Sequence, residues 1–437
     1  MPYLLNLVYL LLILAAMPWL LYAAVRKGKY REGFAAKFLG RVPRRDSKKP
    51  CVWLHAVSVG EVNLLAPLLA ELRRRRPDLE CVISTTTMTG MALARKKYAE
   101  HTVFYCPLDF TWAVRAAMRR VRPDMLVLAE LELWPNLIRA AKRHGAKIAV
   151  INGRLSEHSF RGYRRIRPLI ARLLKQIDLT AVQDETYAER FRALGTPADA
   201  LHVTGSMKYD GARTDRSNPK TEELRRLARF TDEQIVLLAG STQDPEEAIV
   251  LDVFRRLSAD WPRLQLVLVP RHPDRFAAVA KLLDQSGIPW QRRTELSASA
   301  AEEFRVLLVD VVGELGAWWG TAQLAFVGGS FGDRGGQNMI EPAGYGAAVS
   351  FGPNTRNFRD IVATMLARDA AVVVRDEQAL EQFLRRCLET PEYAQALGDR
   401  AQALVLEQLG ATERTVRLLG ELVTPQESCK SRPRDAA

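Results

Sequence analysis

Two short stretches place glutamates directly after apolar runs. Glu61 ends the segment SVGE after the run CVWLHAV, where it would open a helix. The positive end of that helix lowers the pKa of a carboxylate unless burial opposes it, and the carboxylate could take a proton from an acceptor hydroxyl. An ordinary glutamate in a helix first turn is the alternative.

The second stretch, ELELWPN, follows the run MLVLA and holds Glu130 and Glu132. Strand alternation would put both carboxylates on one side. A carboxylate beside a buried strand end needs a partner, so we expect at least one of them to meet a cation or a ligand. A surface pair of glutamates is the alternative.

Cations follow two further apolar runs. Lys208 lies in TGSMKYD, and Arg271 lies in VPRHPDR with His272 and Arg275. Two cations that face one cleft suit a phosphate leaving group and a carboxylated sugar. His272 either donates protons or orients its loop, and solvated surface cations remain an alternative.

The glycine-rich stretch GGSFGDRGGQN indicates a nucleotide site. Gly328, Gly329, Gly335 and Gly336 allow positive φ and close backbone approach, and a helix that begins near Asn338 would offer free N–H groups to a phosphate. A glycine-rich turn between a strand and a helix is the alternative.

Two weaker signals complete the candidates. In VVGELGAWW, Gly313 and Glu314 could hold a base or ribose through backbone groups, although a helix cap explains them as well. Residues 153–168 interleave basic and aromatic side chains; without an RNA-binding module pattern, they favour contact with a phosphorylated lipid or with headgroups over nucleic acid. No DxD-like pair or HExxH motif occurs, so we predict no metal.

These residues need elements to position them. From Cys51 onward, short apolar runs alternate with amphipathic stretches, which predicts an α/β fold with parallel sheets and ligands at the carboxyl ends of the strands. A polar stretch between Asp210 and Asp232 is interpreted as a linker. The predicted domains are residues 50–212 and 213–425, with a cleft between them, followed by a disordered tail at 426–437.

The N-terminus predicts attachment to a membrane. Pro2–Val25 carries no charge, and residues 26–49 hold ten basic and two acidic residues. We expect a membrane anchor at 1–25 and a basic juxtamembrane segment at 26–49, with the body on the cytoplasmic side. A cleaved signal peptide is the rival, but the basic residues follow the apolar run and the run is long for a signal peptide. Asn6 and Pro18 weaken the span, so an amphipathic anchor in the membrane plane stays open.

Composition limits the classes of site and partner that the chain could have. The chain has 437 residues and a formal net charge of +13, and its five cysteines are scattered without a CxxC motif. This favours a reducing compartment and indicates neither a disulfide framework nor a cysteine zinc site. The positive charge alone could serve nucleic acid, an anionic membrane or an anionic substrate, and its placement decides between them.

Taken in order, the motifs resemble the family of 3-deoxy-D-manno-octulosonic acid (Kdo) transferases, from the N-terminus to about Val423. The carriers are HAVSVGEV, ELELWPNLI, INGRLSEHSFRGY, VTGSMKYD, GSTQDPEE, VPRHPDRF, GELGAWWG, LAFVGGS, GGQNMIEPAGYG and FGPNTRNF. The resemblance implies a GT-B fold, with two Rossmann-like domains facing a central cleft and an N-terminal anchor in the inner membrane. It also implies transfer of Kdo from CMP-Kdo to a lipid A precursor (lipid IVA), with inversion and without a metal or cofactor.

The resemblance also assigns site residues. It makes Glu61 the general base, and it makes Glu132 and Lys208 residues that stabilise the transition state. The implied contacts with CMP are Pro270, Arg271, Val312, Gly313, Glu314, Asn338, Met339, Ile340 and Glu341.

Three positions depart from the family pattern. Gln243 and Gln337 stand where the family usually has histidine, and Met339 replaces a usual proline. Glutamine can form hydrogen bonds but cannot carry a proton near neutral pH, so we hypothesise that those histidines serve hydrogen bonding. A GT-B enzyme with another nucleotide sugar, a sugar-nucleotide epimerase and a non-catalytic membrane-tethered lipid-binding scaffold are the alternative functions.

Overall fold

The computed structural model describes residues 2–27, 32–296 and 303–423. The chain forms two compact units. The first contains the chain up to Asp210 and again from Leu409 onward, and the second is Gly211–Gln408. The tail predicted at 426–437 lies outside the described residues. Each unit is built on one parallel sheet with helices, so the predicted α/β class with two domains is confirmed.

Seven strands form the sheet of the first unit within the described residues. They are β1 (Cys51–His55), β2 (Glu80–Thr85), β3 (Thr102–Tyr105), β4 (Met125–Ala129), β5 (Lys147–Gly153), β6 (Leu179–Val182) and β7 (Leu201–Val203). Their order across the sheet is β3-β2-β1-β4-β5-β6-β7, which reverses direction between β1 and β4. Ligands of open parallel sheets bind beyond the carboxyl ends of the strands at such a reversal.

Helices cover both faces of this sheet. They are α1 (Pro2–Lys27), α2 (Phe34–Leu39), α3 (Val59–Arg75), α4 (Met88–Lys97), α5 (Thr111–Val121), α6 (Pro135–His144), α7 (Glu157–Arg165), α8 (Arg167–Leu174) and α9 (Glu185–Leu194). Alternate residues of β1 pack into different core clusters, Trp53 into one and Leu54 into the other. That burial on both faces explains why the strand is a continuous apolar run.

The second unit repeats this plan. Its strands are β8 (Ile235–Thr242), β9 (Leu264–Pro270), β10 (Trp290–Arg292), β11 (Val306–Leu308), β12 (Leu324–Val327), β13 (Ala348–Phe351) and β14 (Val372–Val373). Their order is β10-β11-β9-β8-β12-β13-β14, all parallel over the described residues. The reversal here lies between β8 and β12, so the residues after these strands are placed to bind a ligand.

The helices of the second unit include one inside the predicted linker. They are α10 (Pro219–Leu227), α11 (Glu246–Asp260), α12 (Phe276–Ser286), α13 (Leu315–Trp318), α14 (Ile340–Gly344), α15 (Arg359–Ala367), α16 (Glu377–Glu389) and α17 (Pro391–Gln408). Just before α10, the Arg216 guanidinium donates hydrogen bonds to the carbonyl oxygens of Tyr345 and Ala322, both at 2.8 Å. The stretch from 211 to 232 is therefore part of the second unit and not an open linker.

The C-terminal helix α18 (Ala411–Leu422) belongs to the first unit, whereas the sequence predicted a second domain up to residue 425. The chain turns at Gly410, whose φ is 82°, between α17 and α18. Val416 and Leu419 then pack into the core cluster that contains Leu65. The apolar stripe of α18 predicts that this helix packs against a hydrophobic core. The sequence of α18 does not indicate which of the two units supplies that core.

Helix α1 exposes many apolar side chains, and those of Leu4, Leu12 and Leu14 are 61–63% exposed. Among the residues that the structure describes, no helix is long and apolar enough to cross a membrane. The anchor expected at 1–25 stays a prediction.

Candidate active site

Glu61 lies in the first turn of α3, whose N-cap is Ser58. The Ser58 hydroxyl donates to Glu61 Oε1 at 2.8 Å, and the Val57 N–H donates to Oε2 at 2.8 Å. In return the Glu61 N–H donates to Ser58 Oγ at 3.4 Å. This reciprocal arrangement is close to a capping box, so the side chain is held in one position.

Burial decides the acidity of Glu61. The residue is 8% exposed, and burial raises the pKa of its carboxyl group above the ordinary value, against the hydrogen bonds from Val57 and Ser58. The negative charge of Glu130 acts in the same direction as burial. A carboxylate with a raised pKa binds a proton more strongly, which suits a general base.

Glu130 joins two cations. Its carboxylate accepts a hydrogen bond from Arg154 Nε at 2.7 Å and forms an ion pair with Lys208 Nζ at 3.2 Å. The expectation that one glutamate of ELELWPN meets a cation is confirmed. The predicted strand alternation does not extend to it, because β4 ends at Ala129 and Glu130 has a φ of 59°.

Glu132 is the third carboxylate of this group. Burial raises its pKa to about 7, and the charges of Glu61 and Glu130 add to that effect. A hydrogen bond from Trp134 Nε1 to Glu132 Oε2, at 2.8 Å, opposes it. After the carboxyl ends of β1 and β4, the charges of Glu61, Glu130 and Glu132 thus influence one another, and Lys208 is paired with Glu130.

A residue that sequence reasoning missed positions the segment with Lys208. Asn152, near the end of β5, accepts a hydrogen bond from the Met207 N–H to its Oδ1 at 3.1 Å. Asn152 is fully buried and has a φ of 51°, a conformation that asparagine tolerates better than most residues. In the sequence, the role of Asn152 is indicated only by the presence of a polar residue near the end of the apolar run KIAVING.

The raised pKa of Glu132 predicts a dependence of stability on pH. Its folded pKa, about 7, exceeds the ordinary value of 4.5, so folding favours the protonated group. The resulting stability is complete below about pH 4.5 and is lost as the pH rises through 7. We expect Glu132→Gln to leave thermal stability nearly unchanged at pH 5 and to raise it at pH 8, by roughly 1–2 kcal/mol after solvent screening. Unfolding temperatures of both proteins measure this, and equal differences at the two pH values would contradict it.

In the second unit, Glu246 connects the ends of β8 and β12. Its carboxylate accepts four backbone N–H groups, from Gln243 at 3.0 Å, Gly329 at 2.7 Å, Ser330 at 2.8 Å and Phe331 at 3.0 Å. Glu246 is 1% exposed. Sequence reasoning missed this residue, whose role is to hold the glycine-rich loop against the loop after β8.

Glu246→Gln is therefore expected to destabilise the second unit. One carboxylate oxygen becomes an NH2 group that faces backbone N–H donors, which leaves buried donors unpaired at a cost of roughly 2–4 kcal/mol. Thermal unfolding measures the loss. Glu233→Gln is the matched control, because the side chain of Glu233 is 74% exposed. Equal unfolding temperatures for the two variants would refute this role of Glu246.

The glycine-rich loop has the predicted positive φ at three of its four glycines but lacks the predicted helix. Gly328, the fourth, has no positive φ but shows the close backbone approach, since a Cβ there would meet Thr242 Cα at 2.6 Å. Gly329, Gly335 and Gly336 have φ values of 65°, 91° and 80°. Helix α14 begins at Ile340 and has only five residues, so the expected phosphate site at a helix N-terminus near Asn338 is not formed by a helix of useful length. An anion in this loop would have to rely on side chains and single N–H groups.

The implied CMP contacts around this loop are partly linked to one another. Asn338 Nδ2 donates to Glu341 Oε1 at 3.0 Å. Burial raises the pKa of Glu341, while the hydrogen bond from Asn338 and the positive charge of Arg271 act in the opposite direction. Pro270 ends β9, and Met339 and Ile340 are buried.

The implied contacts at 312–314 differ from one another in exposure and pairing. Val312 is 74% exposed, and Gly313 has a φ of 95°. The Glu314 carboxylate accepts two hydrogen bonds from the Arg293 guanidinium, at 2.8 and 3.0 Å. Glu314 is thus paired within the protein, which leaves the backbone of this turn as the available contact.

The two glutamines that depart from the family pattern lie close together. A Cβ atom placed on Gly329 would meet Gln337 Nε2 at 3.2 Å and Gln243 Nε2 at 3.4 Å. Both amides therefore flank the same glycine, and the two departures affect one place in the second unit.

Comparison with known proteins shows the family to which the chain is similar. Residues 31–211 match the family model described as 3-deoxy-D-manno-octulosonic-acid transferase (kdotransferase). The 3-deoxy-D-manno-octulosonic acid transferase of Haemophilus influenzae is 32% identical over 418 residues, which cover 94% of this chain and 97% of that protein. The transferase of the same name from Bordetella pertussis is 32% identical over 415 residues, covering 92% and 94%.

Among solved structures, UDP-GlcNAc 2-epimerase from Neisseria meningitidis, bound to UDP-GlcNAc, has a TM-score of 0.53. It is 13% identical, and the match covers 85% of this chain and 100% of that one. This likeness shows the fold alone. The similarity to the transferases, in contrast, extends over nearly the whole chain at 32% identity, so the chain belongs to the 3-deoxy-D-manno-octulosonic acid transferase family.

Proposed function

We propose that this glycosyltransferase of lipopolysaccharide biosynthesis is an inverting GT-B enzyme that moves Kdo from CMP-Kdo to the lipid A precursor lipid IVA. The observation that carries the proposal is the ion pair of Lys208 with Glu130 at 3.2 Å, in a group where the charges of Glu61, Glu130 and Glu132 influence one another. This group of side chains supplies a base and a cation beyond β1 and β4, where the strand order of the first sheet reverses.

Glu61 acts as the general base in this proposal. The acceptor hydroxyl oxygen attacks the anomeric carbon of Kdo, the bond from that carbon to the phosphate oxygen breaks, and CMP leaves with the electron pair. Glu61 takes the hydroxyl proton. Its two hydrogen bonds at 2.8 Å fix the carboxylate, so little reorganisation is needed when the proton arrives.

Glu132 responds to that proton transfer. The transition state gains oxocarbenium character as CMP departs, and a nearby carboxylate stabilises positive charge only when it is ionised. The charge of Glu61 raises the pKa of Glu132, so protonation of Glu61 lowers it and favours ionisation. Lys208 offsets negative charge on the Kdo carboxylate or the leaving phosphate.

The donor nucleotide is proposed to bind the second unit. Arg271 and the amides of Gln243 and Gln337 supply charge and hydrogen bonds, while the turn at Gly313 offers its backbone. The remaining proposed contacts are Pro270, Val312, Glu314, Asn338, Met339, Ile340 and Glu341. Activity without a metal or cofactor remains a prediction.

The reaction is proposed to take place at the cytoplasmic side of an inner membrane, with the protein attached through residues 1–25. Exposed leucines on α1, such as Leu4 and Leu12, support an apolar contact, and the basic segment at 26–49 suits anionic headgroups.

The test is incubation of the full chain in detergent with CMP-Kdo and tetraacylated lipid A precursor, followed by mass spectrometry of the lipid. We expect the lipid to gain one or more Kdo masses. Release of CMP with an unchanged lipid would point to another acceptor. An unchanged lipid without CMP release would refute the proposal and favour another donor or a lipid-binding scaffold.

A further inference from the structure

Helix α1 contains one buried amide among exposed apolar side chains. Asn6 is 5% exposed, whereas Leu4 and Leu7 are 63% and 53% exposed. In the sequence Asn6 only weakens an apolar segment. An amide buried in an otherwise apolar helix needs hydrogen-bond partners, and those partners reveal its role.

Asn6 is bound to the start of α5. Its Nδ2 donates to Thr111 Oγ1 at 2.8 Å, and the Thr111 N–H donates to Asn6 Oδ1 at 3.1 Å. The N-cap position of α5 is Phe110, which has no side chain that can accept a hydrogen bond. Asn6 therefore supplies, from another helix, an acceptor that the sequence of α5 lacks.

The same amide reaches the start of α6. Asn136 Nδ2 lies 3.4 Å from Asn6 Oδ1 and 2.6 Å from the carbonyl oxygen of Asp109. The Asp109 carboxylate accepts the N–H groups of Asn136 at 3.0 Å and Leu137 at 2.8 Å. These are N–H groups in the first turn of α6, so Asp109 caps the helix from outside.

Tyr9, one turn further along α1, completes the connection. Its hydroxyl donates to Asp109 Oδ2 at 3.2 Å, and its ring meets the edge of Phe110 with centroids 6.1 Å apart. Tyr9 thus holds Asp109, which caps α6, while Asn6 binds the side chain of Asn136 in the first turn of that helix.

Helix α6 starts at Pro135, directly after the segment with Glu132. The Trp134 N–H donates to the Glu132 carbonyl at 3.0 Å, and Trp134 Nε1 donates to Glu132 Oε2 at 2.8 Å. Trp134 is the N-cap residue of α6, so the first turn of α6 determines the position of Trp134. Because Trp134 binds the Glu132 carboxylate, it also determines the position of that carboxylate.

We propose that α1, through Asn6 and Tyr9, positions Glu132 for the reaction by fixing the start of α6. For its catalytic consequence this rests on the proposed function. Helix α1 then has a second role besides membrane attachment: it is a structural part of the active site, and Asn6 and Tyr9 are positioning residues.

The experiment compares Asn6→Leu and Tyr9→Phe with the wild-type chain in detergent. Asn6→Leu makes α1 more apolar, so it cannot act by weakening attachment to a lipid surface. We expect each variant to lower kcat for Kdo transfer about three- to tenfold with KM for CMP-Kdo within about twofold, since the donor contacts proposed lie elsewhere. Hydrogen exchange of the Asn136 and Leu137 amides should become about tenfold faster.

Tyr393→Phe is the matched control, because it makes the same change as Tyr9→Phe at a half-buried tyrosine of α17 in the second unit. Its kcat for Kdo transfer and its exchange at Asn136 and Leu137 should stay within about twofold of wild type. Tyr9→Phe removes one hydroxyl and keeps the test valid if Asn6→Leu folds poorly. Unchanged kcat, or a lower kcat with unchanged exchange at Asn136 and Leu137, would overturn the proposal. If the wild-type chain transfers no Kdo, the proposed function fails, and the exchange measurement still decides whether α1 holds α6.

Discussion

Glu61→Gln is expected to lower the rate of Kdo transfer about 10²–10⁴-fold and to leave KM for CMP-Kdo within about twofold. Glutamine keeps the size of the side chain and can still accept a hydrogen bond from Val57 or Ser58, but it cannot take a proton. Steady-state kinetics with CMP-Kdo and the lipid acceptor measure the two parameters separately.

Glu185→Gln is the matched control for this variant. Glu185 also lies in the first turn of a helix of the first unit, α9, but its side chain is 64% exposed and pairs with Arg192. The control should retain full activity. If Glu61→Gln lost donor binding and turnover together, Glu61 would be a ligand-holding or structural residue and not the base.

Lys208→Met is expected to lower kcat about 10²–10³-fold, comparable to the loss of one group that stabilises charge in a transition state. Methionine keeps an unbranched chain of similar length while it removes the positive charge. Glu130 keeps its hydrogen bond from Arg154 at 2.7 Å, so the carboxylate is not left unpaired. The fold should therefore be retained, and thermal unfolding checks this.

Lys142→Met is a closely matched control. The side chain of Lys142 is 35% exposed and pairs with Asp178, while that of Lys208 is 30% exposed and pairs with Glu130. Lys142 lies in the last turn of α6, at the end of the helix opposite to Glu132, so its loss should affect stability alone. Equal kcat for the two variants would contradict a catalytic role of Lys208.

The sequence alone led to the strand-end residues, because parallel strands bring their carboxyl ends to one edge of a sheet. Glu61 and Glu132 follow β1 and β4, which pair directly, as Trp53 with Leu126 illustrates. Apolar runs bounded by turn residues were sufficient to find these strands. The positive φ of Gly329, Gly335 and Gly336 was also predictable, since glycine is the residue that adopts it freely.

Contacts between distant segments were not predictable. The Glu246 carboxylate binds N–H groups more than eighty residues further along the chain, and its sequence neighbourhood is that of an ordinary first-turn glutamate. The pairing of Glu130 with Arg154 belongs to the same class, because Arg154 lies in a segment that its composition assigned to lipid headgroups.

The predicted ends of helices were wrong where the packed structure departs from the hydrophobic pattern of the sequence. The sequence after the run KIAVING predicts one longer helical stretch up to Ile177. The structure divides this stretch into α7 and α8 at Ile166, just before Pro168, whose missing N–H favours a helix start. The role of Asn6 was also not predictable. In the sequence it only interrupts an apolar segment, whereas in the structure its amide forms hydrogen bonds with Thr111 and Asn136.

The central claim is a single displacement in which Glu61 activates the acceptor hydroxyl. NMR determination of the anomeric configuration of Kdo in CMP-Kdo and in the lipid product tests it most directly. Attack on the face opposite to CMP predicts that the product has the inverted configuration. A retained configuration would contradict the account, because it requires either a covalent Kdo–enzyme intermediate or attack from the side on which CMP leaves.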